Sequence, residues 1–137
     1  MTVSSLTAAR TAFVALLAIV TWLTLTPNPD DTKAGFAVTR WLAAMFLGDA
    51  GLSDKVAHFS AYGALGVSAF GARLSPFASQ SWTPVVLAAY GASLEVMQGL
   101  GGVRSPEIAD GLANMLGAVA GFGAALLVSR LLGKART

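Results

Sequence analysis

The chain has 137 residues, room for one domain, and 55% of them are hydrophobic while only 12% are charged. A soluble domain carries about 25% charged residues, so this composition excludes a water-soluble globule of ordinary surface. The lack of cysteine excludes disulfides, thiolate zinc sites and cysteine nucleophiles, and a net charge of +2 without any basic stripe reads as a topology signal rather than as a nucleic-acid surface.

A hydrocarbon core of ~30 Å is crossed by ~20 mostly apolar helical residues. Four stretches are expected to do this. The first runs from Ala8 to Leu25 and ends at Pro27-Asn28-Pro29-Asp30-Asp31. Arg10 before an apolar run also fits a signal peptide. No A-x-A site follows, so the segment is expected to stay as a transmembrane helix. The run Gly35 to Leu47 is too short to span. With Arg40 and Trp41 it reads as a short helix at the headgroup level or as a partly buried loop helix. The second span runs from Lys55 to Leu74 and stops at Ser75-Pro76, where proline cannot continue a helix. The third runs from Thr83 to Leu100, with Pro84 in its first turn and Gly99, Gly101 and Gly102 closing it. The fourth runs from Pro106 to Leu132 after the N-cap candidate Ser105, and the basic tail of Lys134 and Arg136 follows. The segments are rich in Ala, Leu and Gly and show no period-2 alternation, which excludes strands. The expected fold is an all-α integral membrane four-helix bundle with a short interfacial helix in the first outer loop, filling residues 1–137 as one domain.

An up-down order puts the N-terminus, the Arg73 to Ser81 loop and the C-terminal tail on one side. That side holds Arg10, Arg73, Arg130, Lys134 and Arg136 and no acid. The other side holds Lys33, Arg40, Lys55 and Arg104, and every acid of the chain: Asp30, Asp31, Asp49, Asp54, Glu95, Glu107 and Asp110. The positive-inside rule then places both termini in the cytoplasm, with the acidic side outward.

The polar residues converge on that outer side. Asp54, His58 and Tyr62 are four apart and share one helix face. Asp54 is positioned to hold the imidazole in one tautomer while Tyr62 takes its other side. Alternatively, Asp54 answers the helix dipole and His58 only bonds a neighbouring helix. Glu95 lies within the third span, where a carboxylate costs ~2.5–3.5 kcal/mol on insertion scales and is a functional-site candidate by default. Its structural alternative is a pair with Lys55, Arg104 or His58. Gln98 follows one turn later. Asp110 and Asn114 share a face of the fourth helix, with Glu107 at its start, and Gly117 and Gly121 continue near that face, where small residues admit a close neighbour. The opposite halves of the spans hold almost no polar side chain beyond terminal basics. A one-sided cluster suits an amphiphilic ligand with its head at the interface and its tail between helices.

These residues also carry a resemblance. The spacing D-K-x-x-H-F-x-x-Y-x-x-L-G from Asp54 to Gly66, and the later E-x-x-Q, R-(x)5-D-x-x-x-N-x-x-G pattern of Glu95, Gln98, Arg104, Asp110, Asn114 and Gly117, resemble the two signatures of VanZ-like membrane proteins. Members often have Pro-Gly before the signature arginine, whereas this chain has Gly102-Val103-Arg104. The resemblance implies a small multi-spanning bacterial membrane protein. It also links the chain by name to teicoplanin resistance, without assigning a reaction.

Three functions compete. The first is binding of a lipid-linked cell-wall precursor, or shielding of one from a glycopeptide, with Arg104 on a phosphate or carboxylate and Asp54, Lys55, Tyr62, Gln98, Asp110 and Asn114 around the headgroup. The second is an enzyme on a phosphate or sugar group of the same kind of lipid, with His58 and Glu95 as the acid–base pair and Asp110 or Asp54 orienting His58. The third is a non-enzymatic subunit of a membrane complex or a homo-oligomer, packed through Gly63, Gly66, Gly117 and Gly121. No cofactor is expected. A metal centre of His58, Glu95 and Asp110 is disfavoured by the single histidine, and hard cations suit it better than zinc. A carrier would need polar groups near the midplane, which argues against transport.

Overall fold

The computed structural model describes residues 2–26, 33–101 and 107–134. Among these, five α-helices follow in order: α1 (Val3–Leu25), α2 (Lys33–Leu47), α3 (Ser53–Gly71), α4 (Thr83–Leu100) and α5 (Ile108–Lys134). Short 3₁₀ turns stand before α3 and between α3 and α4, and no strand occurs among the described residues. The expected loop at Pro27 to Asp31, the cap Ser105, Pro106 and the signature arginine Arg104 lie outside the described residues.

The sequence chemistry at the helix ends accounts for most of the boundaries. α1 starts five residues before Ala8 because Thr2 caps it, its hydroxyl accepting the Ser5 N–H at 3.3 Å; such a cap contributes about 1 kcal/mol. α2 covers the expected short helix and ends at Gly48, whose φ of 73° glycine adopts without a Cβ penalty. Asp49 then accepts the Gly51 N–H at 2.7 Å and turns the chain into α3. α3 stops short of Leu74 because Arg73 enters the left-handed region at φ 52°. The N–H of Leu74 bonds the Ala69 carbonyl at 3.2 Å and that of Arg73 the Phe70 carbonyl at 3.1 Å, a Schellman closure reached without glycine. α4 has the expected bounds, with Pro84 in its first turn. Its closing Gly101 is right-handed at φ −78°, so the helix ends by a simple bond to the Met97 carbonyl rather than by a left-handed glycine cap.

Three contacts fix how the helices run. The Arg10 guanidinium donates to the Ala72 carbonyl at 3.4 Å, joining the start of α1 to the end of α3. Gln98 donates to the Thr24 carbonyl, joining the ends of α1 and α4. His58 meets Asn114 at 3.0 Å, joining the starts of α3 and α5. α1 and α4 therefore run one way, and α3 and α5 the other.

α3 and α5 form the most extensive helix pair. They touch backbone to backbone. A Cβ on Gly117 would collide with the Phe59 carbonyl, one on Gly121 with the Gly63 carbonyl, and one on Gly66 with the Ala118 carbonyl. Small residues permit this approach, and Phe70 and Phe122 close it edge to face at 5.3 Å. The remaining core is Phe13, Val20, Tyr62, Leu65, Ala69, Leu87 and Ala118. Large apolar side chains face outward along every helix, among them Trp22, Val67, Val96, Leu116 and Leu131. Two helices, α1 and residues Ile108–Gly133, are long and apolar enough to cross a membrane. α3 and α4 carry Asp54, Lys55 and His58, and Glu95 and Gln98, which lowers their hydropathy.

Because the α3–α5 contact is backbone against backbone, Gly121→Ala is expected to destabilise the fold by about 2 kcal/mol through overpacking. Gly123→Ala, where nothing stands within 4 Å of the added Cβ, is expected to be neutral. Unfolding in mild detergent followed by circular dichroism distinguishes the two.

Candidate functional site

The first turns of α3 and α5 and the last turns of α4 bring the polar residues together at one end of the molecule. Glu95, Gln98, Asp110 and Asn114 are all buried there, with Asp110 2% and Asn114 1% exposed. Burial of such groups costs free energy unless they are paired, and the pairing is extensive. Lys55 of α3 reaches across to α5, meeting Asp110 Oδ1 at 2.7 Å and also Glu107, and it stands 3.7 Å from Asp54 Oδ2. One ammonium thus ties three carboxylates.

His58 sits one turn deeper. Its Nδ1 is 3.0 Å from Asn114 Oδ1. An amide oxygen only accepts, so Nδ1–H donates. Nε2 faces Asp110 Oδ2 at 3.8 Å, and Nδ1 is 3.9 Å from Glu95 Oε1, both too far for hydrogen bonds. Asn114 leaves its Nδ2 without a hydrogen-bond partner among the described residues. Asp54, His58 and Asp110 each bring one donor atom within 4.8 Å of the others.

The structure therefore gathers Asp54, Lys55, His58, Glu95, Asp110 and Asn114 in one cluster and reassigns several contacts within it. Asn114 Oδ1 is a partner of His58 Nδ1 that the spacing along α3 does not signal. Tyr62 does not share the far side of His58: its ring lies against Gly91 of α4, where an added Cβ would come within 3.0 Å, and its hydroxyl finds no hydrogen-bond partner among the described residues. Four-residue spacing puts Tyr62 on the His58 face, but the rotation of α3 turns that turn toward α4. Gln98 faces α1. Arg104 lies outside the described residues.

An apolar groove of about 670 Å³ runs between α1 and α4, lined by Val14, Leu17, Thr21, Trp22, Leu25 and Tyr90 among others. The Thr21 and Tyr90 hydroxyls meet in it at 2.5 Å. Gln98 on Thr24 links this groove to the polar end of α4. No sequence motif signals the Thr21–Tyr90 pair, which depends on the packing of two unremarkable helices.

An all-helical chain with an apolar exterior and a buried, one-ended polar cluster defines a membrane protein built around a polar site. The chain belongs to the VanZ/LLP1 family, whose family model matches residues 13–129. No curated protein and no solved structure matches it.

Removing Lys55 while Asp110 stays buried strips that carboxylate of its counter-ion. Lys55→Met is expected to cost about 3 kcal/mol, the range for breaking a buried pair. Asp110→Asn in the same chain is expected to restore much of the loss. Denaturant titration of the single and double variants reads this coupling directly.

Proposed function

We propose that this chain crosses a bacterial inner membrane four times, through α1, α3, α4 and α5, with both termini cytoplasmic. On this reading it holds the headgroup of a lipid-linked cell-envelope intermediate at its outward polar end. The observation that carries the reading is a buried polar cluster, a head site, in a molecule that also has an apolar α1–α4 groove, a tail site, with Gln98 of α4 bonded to α1 between them.

Helix lengths support the four-span reading. α3 and α4, with 19 and 18 residues, extend about 27–28 Å at 1.5 Å per residue, close to the ~30 Å core. α2 supports an interfacial placement. Val38, Trp41 and Met45 are exposed along one of its faces while Ala43 is buried, and exposed Trp favours the headgroup level. Phe77 and Trp82, paired edge to face at 6.0 Å in the α3–α4 loop, suit the opposite interface.

In the head site the carboxylates and amides of Asp54, Glu95, Gln98, Asp110 and Asn114 supply the acceptors and donors that sugar hydroxyls and peptide groups need. Arg104 supplies a fork for the phosphate. A role in glycopeptide resistance would follow from shielding such an intermediate. Catalysis is the second reading. It is favoured by the single observation that His58 stands between Asn114, Asp110 and Glu95, an imidazole hydrogen-bonded in place beside two carboxylates.

The absence of native cysteine makes the topology directly testable. Asp49→Cys is expected to react with a membrane-impermeant maleimide in intact spheroplasts, and Ser81→Cys only after lysis. The opposite pattern inverts the orientation, and labelling of both in intact cells removes the four-span reading. For the ligand, native mass spectrometry of the wild type in mild detergent is expected to retain a lipid-linked headgroup. Arg104→Ala is expected to weaken its binding about tenfold, by loss of one charge-assisted contact. Retention unchanged by Arg104→Ala sinks the headgroup assignment, and an accumulated lipid species in Glu95→Gln moves the reading to catalysis.

A further inference from the structure

We propose that Asp54, His58 and Asp110 form a binding site for one divalent cation with a preference for oxygen ligands, of the Mn²⁺ or Mg²⁺ class. Three independent features of the cluster lead there.

The first is the orientation of His58. Its Nδ1–H donates to Asn114 Oδ1 at 3.0 Å, which turns Nε2 toward a carboxylate oxygen, Asp110 Oδ2, at 3.8 Å. A second-shell partner on the far nitrogen is also how proteins orient a metal-binding imidazole.

The second is distance. A separation of 3.8 Å is too long for a hydrogen bond. An ion about 2.1–2.3 Å from each atom, the range for divalent cations with nitrogen and oxygen ligands, would subtend roughly 110–130° at that separation. One carboxylate oxygen of Asp54 completes a set of three donor atoms, all within 4.8 Å of one another. Two carboxylates and one imidazole form a donor set for hard to borderline cations.

The third is charge. Asp54, Glu107 and Asp110 gather around the ammonium of Lys55, and Asp110 is 2% exposed, so the donor set is rich in carboxylates of the kind that hard cations prefer. Lys55 does not occupy the site, because it takes Asp110 Oδ1 at 2.7 Å and Glu107, while Oδ2 faces His58. Asn114, 1% exposed, also has its Nδ2 without a partner among the described residues, a donor suited to a water or ligand oxygen on the ion.

This site does not depend on the lipid reading, and its test uses Mn²⁺ alone. His58 is the sole histidine of the chain, so with a purification tag free of histidine any imidazole coupling to the metal comes from it. The full chain in mild detergent, treated with chelator and then titrated with Mn²⁺, is expected to bind one ion. Its pulsed electron paramagnetic resonance is expected to carry the ¹⁴N modulation of one coordinated imidazole. His58→Gln should abolish that modulation. Asn114→Ala should weaken binding about 10–100-fold, as loss of an orienting second-shell group does, while the helical melt shows that the variant is folded. Folded wild type that retains no Mn²⁺, or that binds it without ¹⁴N modulation, overturns the proposal. So does Mn²⁺ affinity unchanged in Asp54→Asn and Asp110→Asn. A protein that binds Mn²⁺ but retains no lipid in native mass spectrometry keeps the cation site and loses the headgroup assignment.

Discussion

The polar end of this protein depends on how closely α3 approaches α5. Gly117 lies under the Phe59 carbonyl and Gly121 under the Gly63 carbonyl, so the two backbones are in contact over about two turns. Side chains one turn nearer the polar end are then forced into register. Lys55 meets Asp110, and His58 meets Asn114. A bulkier seam would separate the helices by a side-chain width, and Lys55, with its flexible stem, would be the only residue still able to bridge them. The short amide of Asn114 and the short carboxylate of Asp110 would not reach His58. Glycines with no chemistry of their own thus set the geometry of the residues that have it.

That geometry also reverses the usual distribution of polarity. Large apolar side chains cover the outside of every helix, and one end of the interior holds buried carboxylates and amides beside a part-exposed ammonium and imidazole. In lipid the hydrophobic effect gives little drive for helix association, so packing and interhelical hydrogen bonds must supply it. Arg10 on the Ala72 carbonyl and Gln98 on the Thr24 carbonyl serve that purpose at opposite ends of α1. The cluster of α3, α4 and α5 then combines two demands, holding helices together and keeping polar atoms available. The Asn114 amide nitrogen, buried and unbonded among the described residues, marks where availability prevails over satisfaction.

Much of this was legible in the sequence because it is local. Pro84 marks the first turn of α4, and the apolar run from Thr83 to Leu100 has no competing signal, so its bounds agree. α3 ends early because the left-handed Arg73 is a non-glycine closure, and no residue type announces it. The members of the polar cluster were legible as residues on one side of a bundle, since four-residue spacing reports a shared helix face. Their partners were not, because partner choice depends on how each helix is rotated about its axis. Asp54 and Tyr62 share a face with His58, yet the imidazole bonds a residue 56 positions away, and Tyr62 packs on Gly91. The VanZ-like spacing carried more information than either helix alone, since it tied positions on three helices to one pattern. The matched region, residues 13–129, extends that likeness well beyond the two signatures.

The one-sidedness of the cluster constrains what the molecule can do. At the opposite end the helices close on Ala69, Ala72 and Leu87, and the only polar link there from α1 to α3 runs from Arg10 to a backbone carbonyl among the described residues. Buried Thr83, which donates to the Leu74 carbonyl at 2.9 Å, adds a second polar group at that end. The groove between α1 and α4 opens sideways along the apolar exterior. On the proposed reading, a ligand with its head at the polar end and its tail in that groove would need no opening of the α3–α5 seam, so the contact that builds the cluster could remain rigid.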